Sequence, residues 1–342
     1  MYKKVLKIGF GFIERVKETL CENNINGKIL YVSDSVVDSL FGEVVRRQIA
    51  DVGQVKEELI DDNTISYAMG LAERIIATDI NCIVGLGGGK VLDVCKYAAY
   101  VSKIPYLAIP TTAANDGLVS PVAVLKRQDG KPKSLGACMP TMVLIDTSII
   151  WKGPIEHIKA GIGDTISNYM ALIDWDLAVS KGKETFNGYA YMMSKNSIEA
   201  LVSTKYSKIC PEFVEALVNS LVLSGIAMDF AGSSRPVSGS EHCFSHALDY
   251  YSKKQNLHGI QVALGTIAML KIIGADYSKL LSYLKKFEVD INPSHLSIDE
   301  DTFVLCMQNA SSMRKGRYTY LDEIDLSDER LRKLYKDLVE EL

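Results

Sequence analysis

Of the five histidines in this 342-residue chain, three (His242, His246 and His258) fall within a single 17-residue span. His242 and His246 are four apart, so they share one face if the segment is helical, and His258 opens the next apolar-periodic run, where it can turn toward them. Upstream, Gly161-Ile-Gly-Asp164 places an acid at what reads as a helix start. One carboxylate and two imidazoles with a fourth position open suit a catalytic zinc, iron or nickel ion. Each residue alone has a plainer reading: Asp164 as an N-cap, and any one histidine as a hydrogen-bonded or surface side chain. The spacing is not His-Glu-x-x-His, so a metalloprotease's general base is lacking. No Gly-x-Ser-x-Gly elbow occurs, and none of the seven cysteines carries a motif that marks a nucleophile.

A second centre lies at Val84-Gly-Leu-Gly87-Gly88-Gly89-Lys90, where an apolar strand runs through three glycines into a helix expected over 91–101. A helix N-terminus reached by bare backbone offers unpaired N–H groups and partial positive charge to a pyrophosphate. Lys90 stands where the third glycine of Gly-x-Gly-x-x-Gly belongs. Val84 and Val91 also break the Walker pattern, which disfavours ATP hydrolysis. The plainer alternative is a tight strand-to-helix turn, although three glycines exceed what a turn needs. Asp93 and Lys96, next on the helix, read either as functional or as a dipole-favoured acid and a solvated base. A polar loop, Pro110-Thr111-Thr112-Ala-Ala-Asn115-Asp116-Gly-Leu-Val-Ser120-Pro121, follows an expected strand and reads equally as a binding loop or an ordinary turn.

The elements that must hold these residues change type along the chain. Before residue 150, β-rich runs at 28–33, 82–86, 106–109 and 142–145 alternate with amphipathic stretches, as in a parallel α/β sheet. After Trp151 the apolar period becomes helical, over 155–180, 189–203, 211–231, 239–252 and 257–273. Two closely packed domains with a ligand-binding cleft are expected. A net charge of −4 supplies no field for nucleic acid or anionic membrane. An odd number of cysteines without a CxxC pair reads as reduced thiols in a cytoplasmic protein, and no segment reads as a secretory signal or a membrane span.

Taken together, GGGKVLDVCK, PTTAANDGLVSP, AGIGD, SGSEHCFSHALDYY and LHGIQVALG resemble the sn-glycerol-1-phosphate dehydrogenases, a branch of the iron-containing alcohol dehydrogenase and dehydroquinate synthase superfamily. The likeness spans about residues 80–270. It implies an α/β Rossmann-like nucleotide-binding domain over 1–150 and an all-helical metal- and substrate-binding domain over 151–342, the dehydroquinate synthase-like fold. It further implies NAD or NADP as cofactor and one divalent metal, zinc first with nickel or iron as alternatives, held by Asp164, His242 and His258. Cofactor contacts carry over to Gly87, Gly88, Gly89, Lys90, Val91, Asp93, Thr111, Thr112 and Ser120, with Asp34 on the adenosine ribose. Substrate contacts carry over to Asp116, Asp164 and His246, the last also a proton carrier. Arg235, just before the ligand helix, is the expected phosphate partner. Asn168 replaces a histidine that many iron-type members carry, which favours three ligands over four.

The activity so implied is hydride transfer between dihydroxyacetone phosphate and sn-glycerol 1-phosphate, in a homo-oligomer without nucleic-acid partners. Competing readings are a glycerol dehydrogenase acting on the free triol, a dehydroquinate-synthase-like cyclase, and a non-catalytic nucleotide sensor on a degenerate enzyme fold.

Overall fold

The computed structural model describes residues 4–342. Two compact units divide them: Ala114–Asp116 with Pro154–Leu342 form one, and the remaining residues up to Gly153 form the other.

The first unit carries β1 (Val5–Gly9), α1 (Val16–Glu22), β2 (Gly27–Ser33), α2 (Ser35–Val37), α3 (Glu43–Ala50) and β3 (Gly53–Leu59). It continues through α4 (Ile65–Ala77), β4 (Ile80–Gly87), α5 (Gly89–Ser102), β5 (Tyr106–Pro110), β6 (Val122–Lys126), β7 (Pro132–Gly136), β8 (Met142–Asp146) and α6 (Thr147–Lys152). Six strands form a parallel sheet in the order β1-β8-β5-β4-β2-β3, and β6 and β7 form a separate antiparallel hairpin. Ile29, Val84, Leu86, Leu107, Ile109 and Leu144 are fully buried in one core cluster. Each contributes about 1.5–3 kcal/mol by leaving water, which is why these strands read as unbroken apolar runs. From β2 the chain steps outward to β3, then returns past β2 to β4 and proceeds the other way. The sheet therefore reverses between β2 and β4, the kind of point at which open α/β sheets bind ligands beyond the strands' carboxyl ends.

The second unit is helical throughout: α7 (Ile155–Ser180), α8 (Gly188–Val202), α9 (Pro211–Ala231), α10 (Ser240–Tyr251), α11 (His258–Ile272), α12 (Ser278–Lys286), α13 (Glu300–Asn309) and α14 (Asp328–Glu341). Two expectations need correction. Asp164 is not an N-cap at a helix start but the tenth residue of α7, whose cap is Pro154. And α9 is long and apolar enough, by length and composition, to cross a membrane. It packs on α7 and α8, and 61% of its apolar window is buried, as in a core helix. None of the seven cysteines, all among the described residues, forms a disulfide.

Candidate active-site residues

In the helical unit, α7 and α11 meet through glycines adjacent to two expected ligands. A Cβ on Gly163 would overlap the Gly259 carbonyl, and one on Gly259 would overlap the Ala160 carbonyl. Only hydrogen at both positions lets the backbones approach so closely, and that approach sets Asp164 beside His258. His258 Nε2 lies 3.7 Å from Asp164 Oδ1. His242 arrives from α10, and donor atoms of Asp164, His242 and His258 all fall within 4.8 Å of one another.

The other ring nitrogens are already engaged. Ser245 Oγ donates to Gln261 Oε1 at 2.7 Å, so its oxygen is left to accept from His258 Nδ1 at 3.2 Å. Glu241 Oε1 lies 2.7 Å from His242 Nδ1 and also accepts the Gly239 N–H. A ring that donates from Nδ1 keeps its lone pair on Nε2, the arrangement that orients imidazole ligands. Burial drives the pKa of both rings down to about 3, so they are neutral donors at neutral pH. His246, one turn beyond His242, stacks against His258 with ring centroids 6.4 Å apart. Burial, followed by the neighbouring His258 and His242, holds it well below the usual histidine range.

Asp164 is 4% exposed, and its pKa is raised well above the usual carboxylate range by burial, then by repulsion from Asp116, despite accepting the Asp116 N–H at 3.0 Å. Its one ion-pair neighbour among the described residues is His258, which is uncharged. A buried carboxylate crowded by a second acid and faced by two neutral imidazole lone pairs lacks a cation, so the donor set fits a divalent metal. Asn168, on the same helix as Asp164, donates its Nδ2 hydrogens to Ser197 and Ser224 at 2.9 and 2.7 Å.

In the α/β unit, Gly88 is the extended N-cap residue of α5. A Cβ on Gly89 would meet nothing within 4 Å, and one on Gly88 only Thr112, at 3.6 Å. Neither glycine has the positive φ of a left-handed turn. Neither the turn nor packing within the protein demands glycine there, whereas a ligand lying against the backbone does. Gly87 differs: its Cβ would strike the Val91 side chain at 2.6 Å. Val91 is buried, Thr111 donates its N–H to the Gly87 carbonyl at 3.0 Å, and Lys90 reaches the Asp61 carbonyl at 3.3 Å. Asp34 follows β2 across the sheet's reversal point and caps α2, its Oδ1 accepting from Val36 and Val37.

Lys96 is not a solvated base. It is 1% exposed and donates to the Gly117 and Val122 carbonyls at 3.0 and 2.7 Å and to Asp93 at 3.3 Å. Burial raises Asp93 above the usual carboxylate range. Lys96 thus ties α5 to the loop after β5, and Ser120, also buried, lies on that loop with its hydroxyl 3.4 Å from the Val122 carbonyl. Arg235, the expected phosphate partner, is 1% exposed: its Nε and Nη1 go to Glu184 at 3.2 Å and the Tyr318 carbonyl at 2.8 Å, and its Nη2 is buried without a partner. Sequence reading passed over Glu241 and Ser245, and also Arg314 and Arg317, which reach Ser234 and Ser238 just before α10.

Residues 7–154 match the family model for iron-containing alcohol dehydrogenases. Glycerol-1-phosphate dehydrogenase of Methanosarcina mazei is 35% identical over 92% of this chain and 89% of its own length. The enzyme of that name from Sulfurisphaera tokodaii is 33% identical over 98% and 95%. Among solved structures, glycerol dehydrogenase from Schizosaccharomyces pombe superposes with a TM-score of 0.79 at 19% identity, covering 99% of this chain and 90% of that one. At that identity it attests the fold alone. With more than nine-tenths of its length aligned to sequence relatives above 30% identity, the chain belongs to the glycerol-1-phosphate dehydrogenase family, among the iron-containing alcohol dehydrogenases.

Proposed function

We propose that the chain interconverts dihydroxyacetone phosphate and sn-glycerol 1-phosphate by hydride transfer with NAD or NADP, using one divalent cation held by Asp164, His242 and His258. The observation that carries this reading is the pair of neutral imidazoles whose Nδ1 positions are engaged and one of whose Nε2 atoms lies 3.7 Å from a buried carboxylate. When bound, zinc, or nickel or iron in its place, supplies Lewis-acid polarisation of the ketone oxygen, and the nicotinamide supplies or accepts the hydride.

The chain's own residues do the rest. Ser245 and Glu241 hold the two ligand rings in one tautomer. The Asp116 N–H fixes one oxygen of Asp164 and leaves the other toward His258. His246, neutral at working pH, hydrogen-bonds the substrate hydroxyl and relays its proton. Gly88 and Gly89 expose the first N–H groups of α5 to the pyrophosphate, with Gly87, Lys90, Val91, Asp93, Thr111, Thr112 and Ser120 around them. Asp34 faces the adenosine ribose and disfavours a 2′-phosphate by charge.

Steady-state reduction of dihydroxyacetone phosphate and of dihydroxyacetone, each with NADH and NADPH, tests the assignment. The phosphorylated ketone is expected to be preferred by at least about 10-fold in kcat/KM, since a charge-assisted contact contributes roughly 1.5–3 kcal/mol. Equal use of both ketones would instead indicate a glycerol dehydrogenase, and no net nicotinamide turnover a cyclase.

A further inference from the structure

Arg314 and Arg317 follow the short turn Ala310–Met313 and converge on the segment that leads into α10. Arg314 donates to Ser238 Oγ at 2.6 Å and to Ser234 Oγ at 2.7 Å. Arg317 donates to Ser234 Oγ at 3.1 Å and to the Ser238 carbonyl. Among the described residues neither guanidinium has a carboxylate within ion-pair distance, whereas neighbouring Arg235 is paired with Glu184. Two like charges, largely withdrawn from water, are thus held side by side with no carboxylate in ion-pair contact, although the buried Glu241 lies near enough for its charge to favour both. Burial lowers the pKa of each, and repulsion from Arg314 and Arg235 lowers that of Arg317 further. Such a pair is unfavourable in the empty protein and is relieved by a dianion.

The location is selective. Ser238 lies just before α10, whose first turn carries His242. The first N–H groups of α10 are already taken, that of Gly239 by Glu241 and that of Ser240 by Asp174, so the anion must be met by side chains. Ser234 and Ser238 accept from the arginines and keep their hydroxyl hydrogens to donate.

We propose that Arg314 and Arg317, with Ser234 and Ser238, form the subsite that binds the phosphate of a phosphorylated three-carbon ketone, so that these two arginines determine specificity for phosphorylated over free substrate. The assignment rests on the function proposed above. A phosphate monoester carries about −1.5 to −2 charges at pH 7, matching the two guanidinium groups.

The test uses the metal-loaded full chain and compares R314Q and R317Q with the unsubstituted protein. In each variant the ratio of kcat/KM for dihydroxyacetone phosphate to that for dihydroxyacetone is expected to fall by about 10- to 100-fold, with one metal per chain retained. A ratio within about threefold of the original overturns the assignment. Should the variants fail to fold, the unsubstituted enzyme decides: inorganic phosphate is expected to shield Arg314 and Arg317 from phenylglyoxal, read by mass spectrometry, while Arg127 in its exposed turn reacts freely. Equal labelling with and without phosphate overturns the assignment on that route. An unsubstituted enzyme with no preference for the phosphorylated ketone removes the broader reading instead, and a preference that survives both substitutions removes the arginine subsite alone.

Discussion

Each residue of the proposed ligand set owes its chemistry to a neighbour outside that set. Ser245 can accept from His258 only because it gives its own hydrogen to Gln261, so a single hydroxyl decides which nitrogen of the ring keeps a lone pair. Replacing Ser245 with Ala is expected to weaken zinc binding by about 10- to 100-fold while the fold persists, as measured by competition with a chelating dye. Unaltered affinity would mean that the ring is oriented by packing alone. Protonation supplies a second test. Asp164 holds its proton above the usual carboxylate range, whereas His242 and His258, near 3, are already unprotonated. Metal binding therefore displaces a proton from the acid and none from the imidazoles, so affinity rises with pH until Asp164 ionises unaided. Calorimetry in buffers of different ionisation enthalpy should detect release of up to one proton per ion. Release of two or more would show that the histidines bind protons in the metal-free state.

Among the elements, α7, α10 and α11 matter most, and glycine is what allows two of them to touch. Gly259→Ala would drive a methyl group into the Ala160 carbonyl and part α7 from α11. Overpacking of this kind costs about 1–3 kcal/mol. The expected result is a lowered melting temperature together with loss of bound metal, while NADH binding, followed by fluorescence, survives because the glycine cradle belongs to the other unit. Retained metal at full stoichiometry would count against the glycine contact as the setter of the site. These helices were largely legible from sequence, since α7 and α9 occupy the same spans as the apolar period indicated. What periodicity concealed was Asp164 in mid-helix, because Gly-Ile-Gly reads locally as a turn when its glycines in fact serve a tertiary contact. The edge strand β3, Gly-Gln-Val-Lys-Glu-Glu-Leu, was missed because half-exposed charged residues do not look like a strand. The β6–β7 hairpin was missed because it follows a loop rich in turn residues. Arg314 and Arg317 lie in Met-Arg-Lys-Gly-Arg, which reads as a solvated charged loop; two arginines three apart around a glycine were the only signal.

Over the whole molecule, the expected contacts sort by unit without exception. Asp34, Gly87 to Val91, Asp93, Thr111, Thr112 and Ser120 lie in the α/β unit, whereas Asp116, Asp164, Arg235, His242, His246 and His258 lie in the helical one. Asp116 is the instructive case, because it stands in the loop after β5 yet is allotted to the helical unit with Ala114 and Asn115, and its N–H bonds Asp164 across 48 residues of sequence. One unit thus carries the residues proposed to meet a nucleotide and the other those proposed for a cation and a substrate. The most direct test is to strip the protein of metal, add zinc in steps and follow NADH oxidation by dihydroxyacetone phosphate, with His258→Ala in parallel. Activity is expected to rise from the baseline and saturate at one zinc per chain, with the variant lower by at least about 100-fold throughout. Full turnover by the stripped protein, or a variant that responds to zinc as the original does, would contradict a catalytic cation at Asp164, His242 and His258.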